Sequence, residues 1–381
     1  MADKTKELIR NNVVTDPEDA LRKENCKMEN RRNMAVIKDK KEKGFSYKDI
    51  GMPKIGKRDV LVKVKCCAVC GSDLVHYKWE DKTYLDSFTK IWPYVVGHEF
   101  AGEVVEVGDA VTYVKVGDRV GSDSHVPCGH CRQCQTGNPH LCNNMTIYGS
   151  TRDGAFSEYV ACPEQTLYKL PEGLTYEMGS MLEPAGVCMR SVLDTGVSAG
   201  NVVVIGCGAI GIFAICAARH IGAHRIWAVD INQQRLDAAK DLGADYIINS
   251  LETPNYSEII KEATEDGADV VLECSGSAPG FNEGVKCLCR GGHFRVIGMN
   301  KHPMTLEAPF QTFNMTEGNF KGTWGRLMFR DMERVSRMML DGAFPFDKII
   351  THRFPMSKAN EAHERFSKGE GIKMVLYPPE D

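Results

Sequence analysis

Four cysteines, Cys128, Cys131, Cys134 and Cys142, fall within fifteen residues at C-x2-C-x2-C-x7-C spacing. Thiolates that close together suit a closed tetrahedral zinc site, and Pro127 and the nearby glycines let the loop wrap a metal. An iron–sulfur cluster uses the same ligand type, but its usual run has other spacing and a proline after the last cysteine. A nucleic-acid zinc ribbon is disfavoured by the mixed local charge. A closed site has no open position, so its role is structural. A second chemistry lies in Val202–Asp230. There a β-branched run ends at Gly206, Gly206-x-Gly208-x-x-Gly211 opens a helical pattern reaching about Ile221, and a second strand pattern ends at Asp230, 24 residues after Gly206. Strand, glycine turn, helix, strand and acidic residue make a dinucleotide fingerprint. Gly206 permits the tight turn, Gly208 and Ile210 lie at the helix start where the pyrophosphate approaches, and Gly211 lets helix and strand pack closely. Asp230 is placed to accept both ribose hydroxyls of NAD and to repel the 2′-phosphate of NADP, with Arg235 as an opposing cation. The bland reading of Val202–Ala218, seventeen residues without charge, is a buried helix or membrane span. The glycine spacing, and a length short of the ~20 residues a span needs, oppose it.

These residues need elements to hold them. At 381 residues the chain fits two domains, and 43% hydrophobic with 26% charged residues is a soluble, globular composition. A net charge of −4 gives no reason to expect nucleic acid or an anionic membrane as partner. An odd count of fifteen cysteines without a secretion signal points to thiols and metal in a cytoplasmic protein. Residues 1–33 are highly charged and read as an N-terminal extension with a helix near Pro17–Arg32. Short strand patterns follow at Met34, Asp59–Cys66, Phe100–Val107, Arg119–Gly121 and Ser157–Val160, with Gly-Asp turns at Gly108 and Gly117. They predict a mostly β domain over residues 34–185, with the cysteine lobe at 126–143. Strand and helix patterns alternate over residues 186–325, which predicts a doubly wound parallel sheet. Residues 326–381 hold two strands about a helix (Ser357–Lys368) and are expected to fold back onto the β domain.

Cys70, His98, Glu99 and Glu183 are each unremarkable alone: a buried thiol, a turn histidine and two carboxylates. A catalytic metal, however, takes a few ligands from separate elements and keeps one position open. Cys70-Gly-Ser-Asp, Gly97-His-Glu, the four-cysteine lobe, Leu182-Glu-Pro and the glycine fingerprint occur in the order found in zinc-dependent medium-chain dehydrogenases. The resemblance covers residues 34 to about 377. It implies an α/β build, with a GroES-like mostly β catalytic domain and a Rossmann nucleotide domain. It also implies two zinc ions and NAD per chain. By the same resemblance Cys70, His98 and Glu99 ligate the catalytic zinc, with Glu183 beside it as ligand or through water. Such a metal lowers the pKa of an alcohol so that hydride can pass to nicotinamide. Ser72 is placed to take the hydroxyl proton. Relatives carry a relay histidine five residues after the cysteine; His76 stands six after Cys70 and is the candidate second member of the relay after Ser72. Relatives also pair subunits along the edge of the nucleotide sheet, so a homodimer or homotetramer is expected.

Within that family Ile350-Thr-His-Arg-Phe-Pro and Lys368-Gly-Glu-Gly-Ile-Lys-Met-Val-Leu resemble sorbitol (L-iditol) dehydrogenases. His76-Tyr-Lys-Trp-Glu and Gly322-Thr-Trp-Gly-Arg-Leu-Met-Phe resemble L-threonine 3-dehydrogenases. The substrate pocket is expected around Tyr77, Trp79, Trp324 and Arg326, with Arg326 available to a substrate carboxylate. A site of one thiolate, one imidazole and carboxylates is oxygen-rich and should tolerate a chelating neighbour oxygen or nitrogen. No dense charged pocket for a zwitterion is legible, so the sequence leans toward a polyol oxidised to a ketone, with L-threonine as the alternative. A non-catalytic nucleotide-binding protein on the same fold would have lost these ligands, and all are present.

Overall fold

The computed structural model describes residues 31–299, 303, 304, 306 and 309–380. The predicted N-terminal extension, with its helix, lies outside the described residues except for positions 31–33. Asn33 is buried and anchors the start of the β half: its side chain exchanges hydrogen bonds with the backbone of Tyr159, at 3.1 and 3.0 Å.

In that half the main sheet runs Leu167–Lys169, Arg119–Ser122, Glu99–Val107, Asp59–Ala68, Lys373–Tyr377, Ile350–Pro355, and Tyr159–Pro163 also pairs with Asp59–Ala68. Met34–Lys38 forms a smaller sheet with Ser46–Asp49 and Tyr94–Val95. Two pairings assemble the site. Ala68 lies opposite Glu99, which joins the Cys70 loop to the His98–Glu99 turn. Val375 lies opposite Ala68, so the C-terminal strand returns to that same point and brings Lys373 with it.

The other half is a six-stranded, all-parallel sheet in the order Tyr246–Asn249, Arg225–Asp230, Asn201–Ile205, Ala268–Glu273, Leu288–Val296, Asn319–Gly322. Val202–Ile205 are buried by helices on both faces, as a central parallel strand requires. Crossovers leave to one side and then the other, so the switch point falls between Asn201–Ile205 and Ala268–Glu273, with Gly206 at its mouth. The Ala209–Ile221 helix ends at Gly222, whose φ of 97° closes it in the left-handed region.

Two short helices, Asp73–Lys78 and Lys82–Phe88, are absent from the predicted elements, because neither is long enough to show a helical period. The second is started by Asp81, whose side chain accepts from Tyr84 N at 3.0 Å. The Leu182–Leu193 helix crosses the expected boundary at 185/186 and carries Glu183 in its first turn, where Pro184 is tolerated. One buried cluster contains Cys66, Ala68 and Ala101 from the β half and Val202, Val204 and Phe213 from the nucleotide half. The halves therefore share an apolar seam. Among the described helices none is long and apolar enough to cross a membrane.

A Cβ at Gly211 would lie 1.8 Å from the Gly206 carbonyl oxygen, whereas one at Gly208 would meet nothing within 4 Å. Gly211→Ala is expected to push the helix off its strand, lowering stability by roughly 2 kcal/mol and NADH affinity with it. Gly208→Ala should fold normally and weaken only the nucleotide. Thermal unfolding and NADH fluorescence titration of the two variants separate these outcomes.

Candidate active site and metal centres

The lobe cysteines converge. One sulfur from each of Cys128, Cys131, Cys134 and Cys142 lies within 4.8 Å of the others, and Cys131 Sγ is 3.6 Å from Cys134 Sγ and 3.8 Å from Cys142 Sγ. A tetrahedron with zinc–sulfur bonds of about 2.3 Å has sulfur–sulfur edges of about 3.8 Å, while a disulfide would need about 2.0 Å. Backbone amides of Cys128 and Asn144 each donate to Cys142 Sγ at 3.3 Å. The backbone N–H of His130 pulls the Cys128 thiol down to about 6. The backbone N–H of Cys134 likewise lowers Cys131, whereas burial pushes Cys134 up to about 12 and raises Cys142, so two of the thiols need a metal's charge to ionise; the donor set fits a structural zinc.

The second cluster gathers Cys70, His98 and Glu99, one ligand atom from each within 4.8 Å of the others. Asp73 orients two of them: its Oδ2 accepts from Cys70 N at 2.9 Å and its Oδ1 lies 3.4 Å from His98 Nδ1. With Nδ1 turned to Asp73, His98 Nε2 is left for a metal. Burial alone would raise Asp73, but His98 beside it holds the carboxyl below its ordinary value. Glu99 is fully buried; its Oε2 pairs with the Lys373 ammonium and its Oε1 has no hydrogen-bond partner. A buried carboxylate oxygen without a partner fits a metal ligand. Lys373 Nζ also donates to Val69 O at 2.9 Å.

Glu183 stands outside this group. Its Oε1 accepts from Ser124 Oγ at 2.5 Å and pairs with Arg326 Nη1 at 2.6 Å. Arg326 is itself fully buried and donates further to Asp123, to Ser124 Oγ at 2.9 Å and to His125 Nδ1 at 3.1 Å. The expectation that Arg326 is free for a substrate carboxylate is therefore corrected: four protein side chains, two of them carboxylates, and the Glu183 carbonyl already occupy both of its terminal nitrogens. Tyr77 and Trp79 also lie elsewhere. Tyr77 stacks on His363 at 5.5 Å and donates to Glu364, and Trp79 packs against Trp92 at 5.4 Å with Lys38 over its ring. The expected pocket keeps only Trp324, which stacks with Phe88 at 6.0 Å and packs on His125 at 5.6 Å. Phe88 contacts Tyr84 at 4.7 Å. Tyr84 is buried enough to push its phenol up to about 12, with His98 and Cys70 among the charges that act on it.

Ser72 is the N-cap residue of Asp73–Lys78 and its side chain makes no capping bond. His76 stands one helical turn on, on the same face. It is buried, its Nδ1 2.7 Å from the Tyr94 hydroxyl, and burial pushes it down to about 4. Val75 fills the position five residues after Cys70 and is buried.

At the nucleotide site Gly206 has φ of 90°, and a Cβ there would lie 2.7 Å from Ser275 Cα. Asp230 ends its strand with Oδ2 accepting from Cys207 N at 2.6 Å and Oδ1 from Asn232 N at 2.9 Å, so it braces the turn it borders. Arg235 lies on the next helix; its Nε is buried without a hydrogen-bond partner, and with Lys348 and His352 it lines a cavity of about 470 Å³. Ile210 is half-buried and its carbonyl accepts from Cys188 Sγ at 3.1 Å. Sequence reasoning missed Lys373, Asp123, Tyr84, Phe88 and Glu273. Buried Glu273 pins the adjoining turn by accepting from Ser275 N at 2.8 Å and Gly276 N at 2.9 Å. Asp73 was legible inside its quoted motif without a role assigned to it.

A β half that holds two metal clusters and shares an apolar core with a dinucleotide-binding half is the build of an oxidoreductase that combines a metal with a nicotinamide nucleotide. Residues 56–172 match the alcohol dehydrogenase GroES-like domain and residues 209–341 the zinc-binding dehydrogenase domain. An L-threonine 3-dehydrogenase of Bacillus licheniformis is 38% identical over 349 residues, 90% of this chain and 98% of the relative. The crystal structure of 2R,3R-butanediol dehydrogenase from Bacillus subtilis is 30% identical with a TM-score of 0.82, covering 91% of this chain and all of that one. A zinc-binding dehydrogenase from Sinorhizobium meliloti 1021, solved bound to NADP, is 27% identical with a TM-score of 0.81, covering 91% of this chain and 100% of its own. The chain belongs to the zinc-dependent medium-chain dehydrogenase family, and zinc and a nicotinamide dinucleotide are its cofactors.

The two metal clusters should be separable. Cys128→Ser is expected to lose one zinc and destabilise the fold, since binding at a structural site is folding free energy. Cys70→Ala should lose the other zinc and activity while keeping its melting temperature within a few degrees. Metal analysis with thermal unfolding checks both; the opposite pattern would exchange the roles.

Proposed function

We propose that the protein oxidises the secondary alcohol of a β-hydroxy amino acid, L-threonine first, to the 3-keto acid, with NAD as hydride acceptor. The observation that carries this is the run of relatives named L-threonine 3-dehydrogenase, among them ones 38% and 33% identical over 90% and 92% of the chain. The sequence lean toward a polyol, which rested on seeing no charged pocket, yields to it. Zinc when bound acidifies the alcohol and nicotinamide takes the hydride; the protein orients both. Cys70, His98 and Glu99 would hold the metal, with Asp73 fixing the histidine tautomer. Ser72 would accept the hydroxyl proton and pass it toward solvent, a route that need not run through buried His76. NAD over NADP follows from Asp230, whose carboxylate would face a 2′-phosphate, although Arg235 stands close by. A vicinal diol is the second reading, favoured by the structural likeness to a butanediol dehydrogenase.

The cytoplasm is supported by the described cysteines, all of them free. A homo-oligomer is supported by the edge strand Asn319–Gly322, which among the described residues pairs on one side only, and by nearby Phe310, Phe313 and Met315, exposed by 63%, 46% and 55%.

Steady-state kinetics with L-threonine, 2,3-butanediol, sorbitol and xylitol, using NAD and NADP, decide the substrate and cofactor. The expected result is a kcat/KM for L-threonine with NAD at least tenfold above every polyol, a gap of about 1.4 kcal/mol; a polyol ahead by that margin would reverse the proposal. Light scattering at micromolar protein should give a dimer or tetramer, and a monomer mass would remove the edge-pairing reading.

A further inference from the structure

An amino acid substrate brings an ammonium group, and the structure narrows what can receive it. The four buried carboxylates around the catalytic cluster are already engaged, Glu99 through one oxygen with its other oxygen assigned to the metal. Glu99 pairs with Lys373, Asp123 and Glu183 pair with Arg326, and Asp73 holds His98 and the Cys70 amide. All four are more than nine-tenths buried. Diverting one to a substrate cation would leave a buried lysine or arginine short of its partner, a strongly destabilising arrangement.

What remains open is an aromatic face. Tyr84, Phe88 and Trp324 form a row with centroid spacings of 4.7 and 6.0 Å. The Tyr84 end lies within the field of Cys70 and His98. The other end meets His125 at 5.6 Å, and His125 shares Arg326 with Glu183. The Tyr84 end, which also packs on His76 at 5.9 Å, therefore adjoins the metal cluster, and the Trp324 end adjoins the Arg326–Glu183 network beside it. Tyr84 and Phe88 are half-buried and Trp324 is 43% exposed, so ring surface is available. Tyr84 and Phe88 are four residues apart on one face of their helix, and the intervening Asp86 points elsewhere. Trp324 is set by Arg190, which donates to its carbonyl at 2.9 Å. The row spans the two halves of the molecule, one wall from each.

We propose that Phe88 and Trp324, with Tyr84, form the surface that recognises the substrate ammonium by cation–π attraction and so determine specificity for amino alcohols. This rests on the β-hydroxy amino acid reading and names the contact within the same site. Aromatic faces attract a cation electrostatically, more strongly as the site closes and water leaves. An uncharged diol gains nothing from that attraction beyond packing.

The test compares four substrates on the zinc-loaded enzyme: L-threonine and 1-amino-2-propanol carry the ammonium, 3-hydroxybutyrate and 2,3-butanediol lack it. Phe88→Leu and Trp324→Leu keep apolar volume and remove the ring. Each should lower kcat/KM about tenfold for the two amines and less than twofold for the others, and Trp324→Phe should restore most of the loss. Equal losses on all four substrates, or none on the amines, would overturn the proposal. Zinc content and melting temperature report folding in each variant. If wild type prefers butanediol to L-threonine tenfold, the β-hydroxy amino acid reading fails by itself. The aromatic surface is then judged on 1-amino-2-propanol against butanediol: a selective loss for the amine upholds it, and a parallel loss refutes it.

Discussion

The site depends on one buried guanidinium. Arg326 arrives from the segment after the last strand of the nucleotide sheet and ends, with no side-chain exposure, between Asp123 and Glu183. Its partners lie on two other parts of the chain, a loop of the β half and the helix that joins the halves. Taking a guanidinium and two carboxylates out of water is costly unless the charges are paired and hydrogen-bonded, and here both terminal nitrogens are used by several acceptors while the buried Nε has none. The shared guanidinium couples Glu183, Ser124 and His125 to one another, and Trp324 packs on His125 at the edge of that group.

A second buried cation does the same at the catalytic ligands. Lys373 lies on the strand that comes back from the C-terminus, and its ammonium meets Glu99 and the carbonyl of Val69. The pairing of Val375 with Ala68 leaves little freedom in where that ammonium falls. Glu99 can then be charged while fully buried, with one oxygen answered by lysine and the other left over. Asp73 completes the arrangement from below by holding His98 and the Cys70 amide. Cluster and nucleotide turn are connected by the shared core, so distances between them are set by packed apolar side chains rather than by a flexible linker.

The parts of the fold carried by local pattern were readable. The fingerprint needed only contiguous β-branched residues, three glycines and an acidic end, and the Asn201–Ile205 strand, the Ala209–Ile221 helix and Asp230 stand where that pattern put them. The cysteine lobe was readable because four ligands lie within one loop. Unread were elements whose logic is not local. The Lys82–Phe88 helix is seven residues long, too short for a period to show, yet it supplies Tyr84 and Phe88. Tyr77 and Trp79 read as pocket residues from a stretch that resembles L-threonine 3-dehydrogenases, and the turn of the Asp73–Lys78 helix sends them toward Glu364 and Trp92 instead.

Sequence by itself determined the chemistry available to this protein: a closed thiolate site and a dinucleotide turn, each defined by residue type and spacing, and an open mixed-ligand site implied by the resemblance to zinc-dependent medium-chain dehydrogenases. Tertiary structure decided which charged groups remain for a substrate. Arg326, in sequence an obvious anion receptor, is consumed by Asp123 and Glu183, 203 and 143 residues away. Glu99 is partnered by a lysine from the far end of the chain. Ion pairing in a low-dielectric interior is settled by proximity and desolvation, and neither quantity is encoded in the neighbourhood of a residue along the chain.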